Sequence, residues 1–224
     1  MTNTIYSRSM KIAILCIAAA AANYALNTLF VYVLKIPMYL DTVFTVAVSF
    51  KAGLLPGLFT ALFTHIATGI RESSITPFVI CSFAEVLLVC LLFPAVLQRQ
   101  RPGENTERRI KPDERTIASQ VSIFSRLLLL YIISCITISV LGGLIDFFHH
   151  SVLLNPKNYF SAEDTFKISL IRNELPTLAI DILSRIPVNI VDRFIVIFGG
   201  FVVFKVLNKI PALTKQHTKS PPAR

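Results

Sequence analysis

Residues 11–34 read KIAILCIAAAAANYALNTLFVYVL, and after Lys11 the stretch holds no charged residue. As an α-helix it would be about 36 Å long, enough to cross a hydrocarbon core of about 30 Å. More apolar runs follow, leaving little chain for a water-soluble domain. Hydrophobic residues make up 54% of the 224 positions, charged residues only 16%, and the mean hydropathy is +0.64. Soluble domains carry about a quarter charged residues. The missing charge decides the matter, because charged groups are what a bilayer excludes. The sequence therefore predicts an all-α integral membrane protein.

A chain of this length has room for about six spans of ~20 residues. The expected helices are Met10–Leu34, Leu40–Lys51, Gly57–Ile70, Pro77–Gln98, Ile117–His149 and Val188–Leu207. Ile36-Pro37 ends the first, since the residue before proline is pushed toward extended backbone. Gly53 and Pro56 separate the second from the third. Arg99–Thr116 reads as a charged loop, Ser151–Asn173 as a polar irregular segment, and Leu175–Ile186 as a partial helix too short to span. The first apolar run outlasts the core of a cleaved signal peptide, so it is expected to be a retained span. The divisions are an N-terminal segment 1–9, a membrane domain 10–208 and a basic tail 209–224.

Basic residues orient the chain. Fourteen of the 22 lysines and arginines fall at the N-terminus, at Lys51, in the loop from Arg99 to Arg115 and in the tail. Seven fall on the other side, with Arg126 set aside inside a helix. The positive-inside rule puts both termini in the cytoplasm and demands an even number of spans in the plasma membrane. The net charge of +9 thus reflects anchoring rather than nucleic-acid binding.

In that orientation Asn27, Asp41, Thr45, His65, Glu85, Asn189 and Asp192 fall in the outer half of their helices. Ionisable groups in spans usually face a bundle interior or a watery cavity. The six-transmembrane-helix bundle is therefore expected to carry an extracellular-side pocket, whose acids favour a cationic or donor-rich ligand. Arg71 and Arg193 read as snorkelling anchors. Ala18, Ala22 and Ala25 give the first helix a small-residue face suited to close helix packing. Cys16, Cys81, Cys90 and Cys135 lie in apolar runs without a metal spacing and read as small hydrophobes. No nucleophile–base set, phosphate loop or zinc motif is present, so neither catalysis nor a cofactor is expected.

The first helix with its alanine spacing, Pro37-x-x-Leu40-Asp41-Thr42, Ala47, Gly53, Pro56-Gly57, Thr64-His65 and Pro187–Arg193 together carry a resemblance over residues 10–208. In these features the chain resembles the substrate-binding (S) components of energy-coupling factor (ECF) transporters. The resemblance implies a non-enzymatic, six-helix protein that captures a vitamin or similar micronutrient. It implies docking through Ala18, Ala22 and Ala25 on a membrane coupling protein, which two ATPase subunits drive. Asp41, Thr42, Asn189 and Asp192 occupy patterned positions near the ligand, with Lys35–Leu40 and part of Ser151–Asn173 as a lid. His65 stands where the family pattern has asparagine, leaving the ligand open. A membrane sensor or accessory subunit of a signalling system, or a stand-alone secondary carrier, is the alternative.

Overall fold

The structure, a computed structural model, describes residues 2–36, 38–72, 77–92, 112–152, 164–171 and 175–209. Helix α1 covers Thr2–Thr28 and widens into a π-helical turn at Leu29–Val33. Then come α2 (Val43–Ala52), α3 (Leu54–Glu72) and α4 (Val79–Leu92). Helix α5 runs Pro112–Asp146 and also ends in π-helix, Phe147–Val152. Two short helices follow, α6 (Asp164–Ile171) and α7 (Thr177–Leu183). Helices α8 (Ile186–Phe194) and α9 (Gly200–Lys209) form one rod, joined by a π-helical stretch at Ile195–Gly199. No strand occurs among the described residues.

Cross-helix contacts fix the directions. Cys16 meets Pro56, Asn23 meets Thr64 and Arg71 meets Thr28, so α1 and α3 run parallel. Helix α2 runs against both, with Thr45 beside Asn23 and Val48 lower down beside Cys16 and Ala19. The α8–α9 rod runs against α5: Arg185 meets Asp146, Asn189 meets Ser139, and Phe198 meets Phe124. It lies parallel to α2, whose Phe50 packs on Phe201 and Phe204. Lys51, in the last turn of α2, donates to the Leu207 carbonyl near the end of α9, 2.9 Å away. A lysine there satisfies a carbonyl that has no intrahelical donor. The apolar core gathers Leu40, Val46, Ala47, Val89, Leu130, Val196 and Ile197.

Several expected boundaries move. Helix α1 begins at Thr2, within the segment assigned to the N-terminus, and residues 112–116 are helical rather than loop. Part of the segment read as irregular is α6. Pro56 lies inside α3, at its third residue, where a backbone N–H would have no intrahelical acceptor and its loss costs no helix hydrogen bond. Residues 93–98, most of the Arg99–Thr116 loop and the tail beyond residue 209 lie outside the described residues.

Two helices are long and apolar enough to cross a membrane, Ser9–Val33 and Gln120–His149. The others are shorter or interrupted by polar side chains: α2 has 10 residues and α4 has 14. The surface is nevertheless apolar on every long helix. Ile14 and Ile17 on α1, Phe59 and Ile66 on α3, Ile132 and Ile136 on α5, and Val202 and Val206 on α9 all face outward. Glu85, Asp146, Arg185, Asp192 and Arg193 are buried. Polarity is inverted relative to a water-soluble bundle.

Glycines set two close passages. Gly53, at φ 88°, turns α2 into α3 within one residue. At Gly143 a Cβ would lie 2.7 Å from the Ile182 Cα, so α5 and α7 pass backbone to backbone. Gly143→Ala is expected to cost about 1–3 kcal/mol through overpacking. Gly199→Ala meets nothing nearer than 3.7 Å and is expected to be neutral. Thermal unfolding of the two variants, side by side, checks the contrast; equal midpoints would contradict it.

Candidate functional site

The interior polar groups form three connected sets. The first centres on Arg193, which is only 4% exposed although it sits in the last turn of α8. Its Nη1 donates to Glu85 Oε2 at 2.6 Å and to Thr42 Oγ1 at 3.2 Å. Its Nε donates to Asp192 Oδ2 at 3.1 Å, and Nη2 donates to the same oxygen. Ser134 of α5 donates to the second oxygen of Glu85 at 2.8 Å. Reading Arg193 as a snorkelling anchor is therefore wrong. With carboxylates on both sides and no route to solvent, its guanidinium is a structural cation binding α4 and the loop before α2 to α8.

Asp192 also holds the linker between α1 and α2. Its Oδ1 accepts the N–H groups of Tyr39 and Leu40, at 3.0 and 2.9 Å. Asn27 donates to the Tyr39 carbonyl at 2.7 Å and in turn accepts from Arg71 at 2.6 Å. Leu40 sits at φ 42°, a conformation costly for a residue with a Cβ. It persists because both backbone amides are held by Asp192 and the Leu40 side chain is sunk in the core. That conformation presents the next residue, Asp41.

Asp41 differs from the other acids. It is half-buried, and its carboxylate accepts its own backbone N–H; among the described residues no side chain donates a hydrogen bond to it. Arg193, Asp192 and His65 are its electrostatic neighbours. His65, also half-buried, approaches from α3. Cys81 of α4 lies in the combined field of Asp41, Glu85, Arg193 and Arg185, and it too is half-buried. Of the residues expected at a ligand, Asp41 and His65 are thus partly open. Asn27, Thr42, Thr45, Glu85, Asn189 and Asp192 are buried and committed to protein partners.

The second set is neutral. Asn23, fully buried in the alanine run, donates to Thr45 Oγ1 at 2.9 Å and Thr64 Oγ1 at 3.2 Å, and accepts the Phe44 N–H. The third joins α5, α6, α7 and the rod. Lys167 reaches Asp181 at 2.7 Å and Asp146 at 3.1 Å, Arg185 reaches Asp146 at 2.8 Å, and Phe78 lies under the Arg185 guanidinium. Burial pushes the Lys167 pKa down, but its bonds to Asp181 and Asp146 outweigh that and hold it raised. A raised lysine pKa contributes stability that is fully present below the ordinary lysine value and is lost as pH rises from there through the raised one. The contact is therefore fully formed at neutral pH.

On α1, Ala18 and Ala25 are exposed, Ala22 is half-buried, and Ala19 and Ala20 face inward. The outward small-residue strip is Ala18, Ala21 and Ala25, at helical spacing. Arg71 stacks between Tyr24 and Tyr32, 5.2 and 4.4 Å from the ring centres. No family model matches the chain, and no curated protein or solved structure matches it significantly.

Removing one member of a buried pair strands the other charge, a loss of about 3–5 kcal/mol. Arg193→Met is expected to destabilise the protein by that order, and Arg193→Met with Glu85→Gln to recover part of it. Lys167→Met is expected to speed amide exchange in residues 164–171 while leaving α2 protected. Denaturation and hydrogen-exchange measurements check both; an unchanged Arg193→Met midpoint would contradict the central role of the guanidinium.

Proposed function

We propose that this chain is the membrane-embedded substrate-capture component of an ECF-type importer for a vitamin or similar micronutrient. The observation that carries the reading is Asp41. A strained, amide-pinned linker holds this carboxylate half-buried and, among the described residues, without a side-chain hydrogen-bond donor, at the edge of an otherwise saturated ionic framework. A partly desolvated carboxylate held only by its own backbone N–H is costly, and ionisable groups in such settings cluster at functional sites.

The inverted polarity supports a bilayer as the solvent. Soluble proteins rarely expose large continuous apolar surface, and buried charges in membrane proteins pair with one another inside the bundle. The directions of α1, α2, α3, α5 and the α8–α9 rod suit six crossings with both termini in the cytoplasm, the short α2 depending on its neighbours rather than reaching both interfaces alone. The outward strip at Ala18, Ala21 and Ala25, with Ala22 half-buried beside it, suits close approach of a coupling protein. In this reading the chain hydrolyses no ATP; two separate ATPase subunits supply the energy.

The test is uptake in proteoliposomes, followed with the small molecule that mass spectrometry finds copurifying with the detergent-extracted chain. Uptake is expected only when the coupling and ATPase subunits are present. Asp41→Ala is expected to weaken retention about tenfold or more, the loss of one charge-assisted contact. Ion-gradient-driven transport by the chain alone would overturn the proposal.

A further inference from the structure

Helix α6 is turned the wrong way round for a helix in water. Its lysine points inward: Lys167 is half-buried, and its Nζ lies 2.7 Å from Asp181 of α7 and 3.1 Å from Asp146 of α5. Leu170, one turn further on, is half-buried as well. Phe166, Ile168 and Ile171 are 40, 53 and 60% exposed. Ser169, the other exposed side chain described on this helix, is engaged within the protein. A short helix on a wet surface would show its lysine to solvent and tuck its large apolar side chains away.

The ion pairs also set the level of α6. Asp146 lies one turn before the end of the apolar span Gln120–His149, so Lys167 holds α6 beside the last turns of that span. The same end of α5 exposes Leu144 and Phe148, and α7 exposes Leu183. The apolar outer side of α6 continues that surface. We propose that α6 is seated in the boundary between lipid headgroups and acyl chains, with Phe166, Ile168 and Ile171 in lipid and Lys167 locked inward on Asp146 and Asp181. Segments of this kind sink their apolar side about 5–10 Å into that boundary. Two carboxylates satisfy the lysine there without water. The inference rests on the bilayer reading given above. It makes this part of the segment expected to act as a lid a piece of the lipid-facing wall.

The chain contains no tryptophan, so a single introduced indole reports without background. Full-length Ile168→Trp and Phe166→Trp are reconstituted into phosphatidylcholine vesicles. Ile136→Trp, outward-facing near the middle of the α5 span, is the reference. Quenching by lipids brominated close to the headgroup, or close to the chain end, is compared with quenching by aqueous iodide. Bromine close to the headgroup is expected to lower the emission of both α6 variants about twofold or more, as for a ring sunk at that boundary. Bromine at the chain end should act most strongly on Ile136→Trp, and iodide weakly on all three. Phe166→Trp exchanges one aromatic ring for another and carries the test if Ile168→Trp does not fold.

Strong iodide quenching of the α6 variants would put this helix in water and overturn the inference. Quenching by neither agent would mean that protein covers the face, and would overturn it too. In both cases an Ile136→Trp quenched by brominated lipid would leave the bilayer reading standing. An Ile136→Trp that brominated lipid does not reach would overturn that reading and the seat of α6 with it.

Discussion

The buried guanidinium of Arg193 is the constraint on which the rest depends. Taking two carboxylates and a cation out of water is expensive, and the arrangement holds only because almost every lone pair and proton is used. Glu85 brings α4 and, through Ser134, α5; Asp192 brings the linker; Thr42 brings the start of α2. One cation thereby sets the relative positions of four helices and a loop. An apolar core alone would not do so, since hydrophobic contact has no direction.

Saturation of that framework gives Asp41 its meaning. The residues most easily suspected of touching a ligand are the ones whose hydrogen bonds are already taken. Asp192 works at one remove: it pins the backbone that forces Leu40 into its left-handed conformation and so aims the following carboxylate. The π-helical stretch at Ile195–Gly199 begins immediately after Arg193 and Phe194. Such widened turns often accompany functional positions in helices.

The helical class and the main helices were legible because apolar runs and charged breaks alternate along the chain. Length estimates failed where helix and loop share composition. Asp164–Ile171 is flanked by polar sequence, and residues 112–116 are charged, yet both are helical because their neighbours continue or dock them. In the site, Asp41 and His65 stood out as ionisable groups near apolar runs. Arg193 was misjudged because a one-dimensional depth argument cannot see two carboxylates arriving from separate elements. Asn23 was missed altogether: an asparagine amid alanines has no pattern of its own, and its partners Thr45 and Thr64 come from other helices.

In the proposed capture role Asp41 is the point where the molecule meets its ligand, while Glu85 and Asp192 stay with Arg193. An electron cryomicroscopy structure of the detergent-extracted chain with its copurifying molecule decides this most directly. The predicted result is ligand density within hydrogen-bonding distance of the Asp41 carboxylate, with the Arg193 pairs intact. Density lodged elsewhere, or a ligand that displaces Arg193 to reach Glu85 and Asp192, would contradict it.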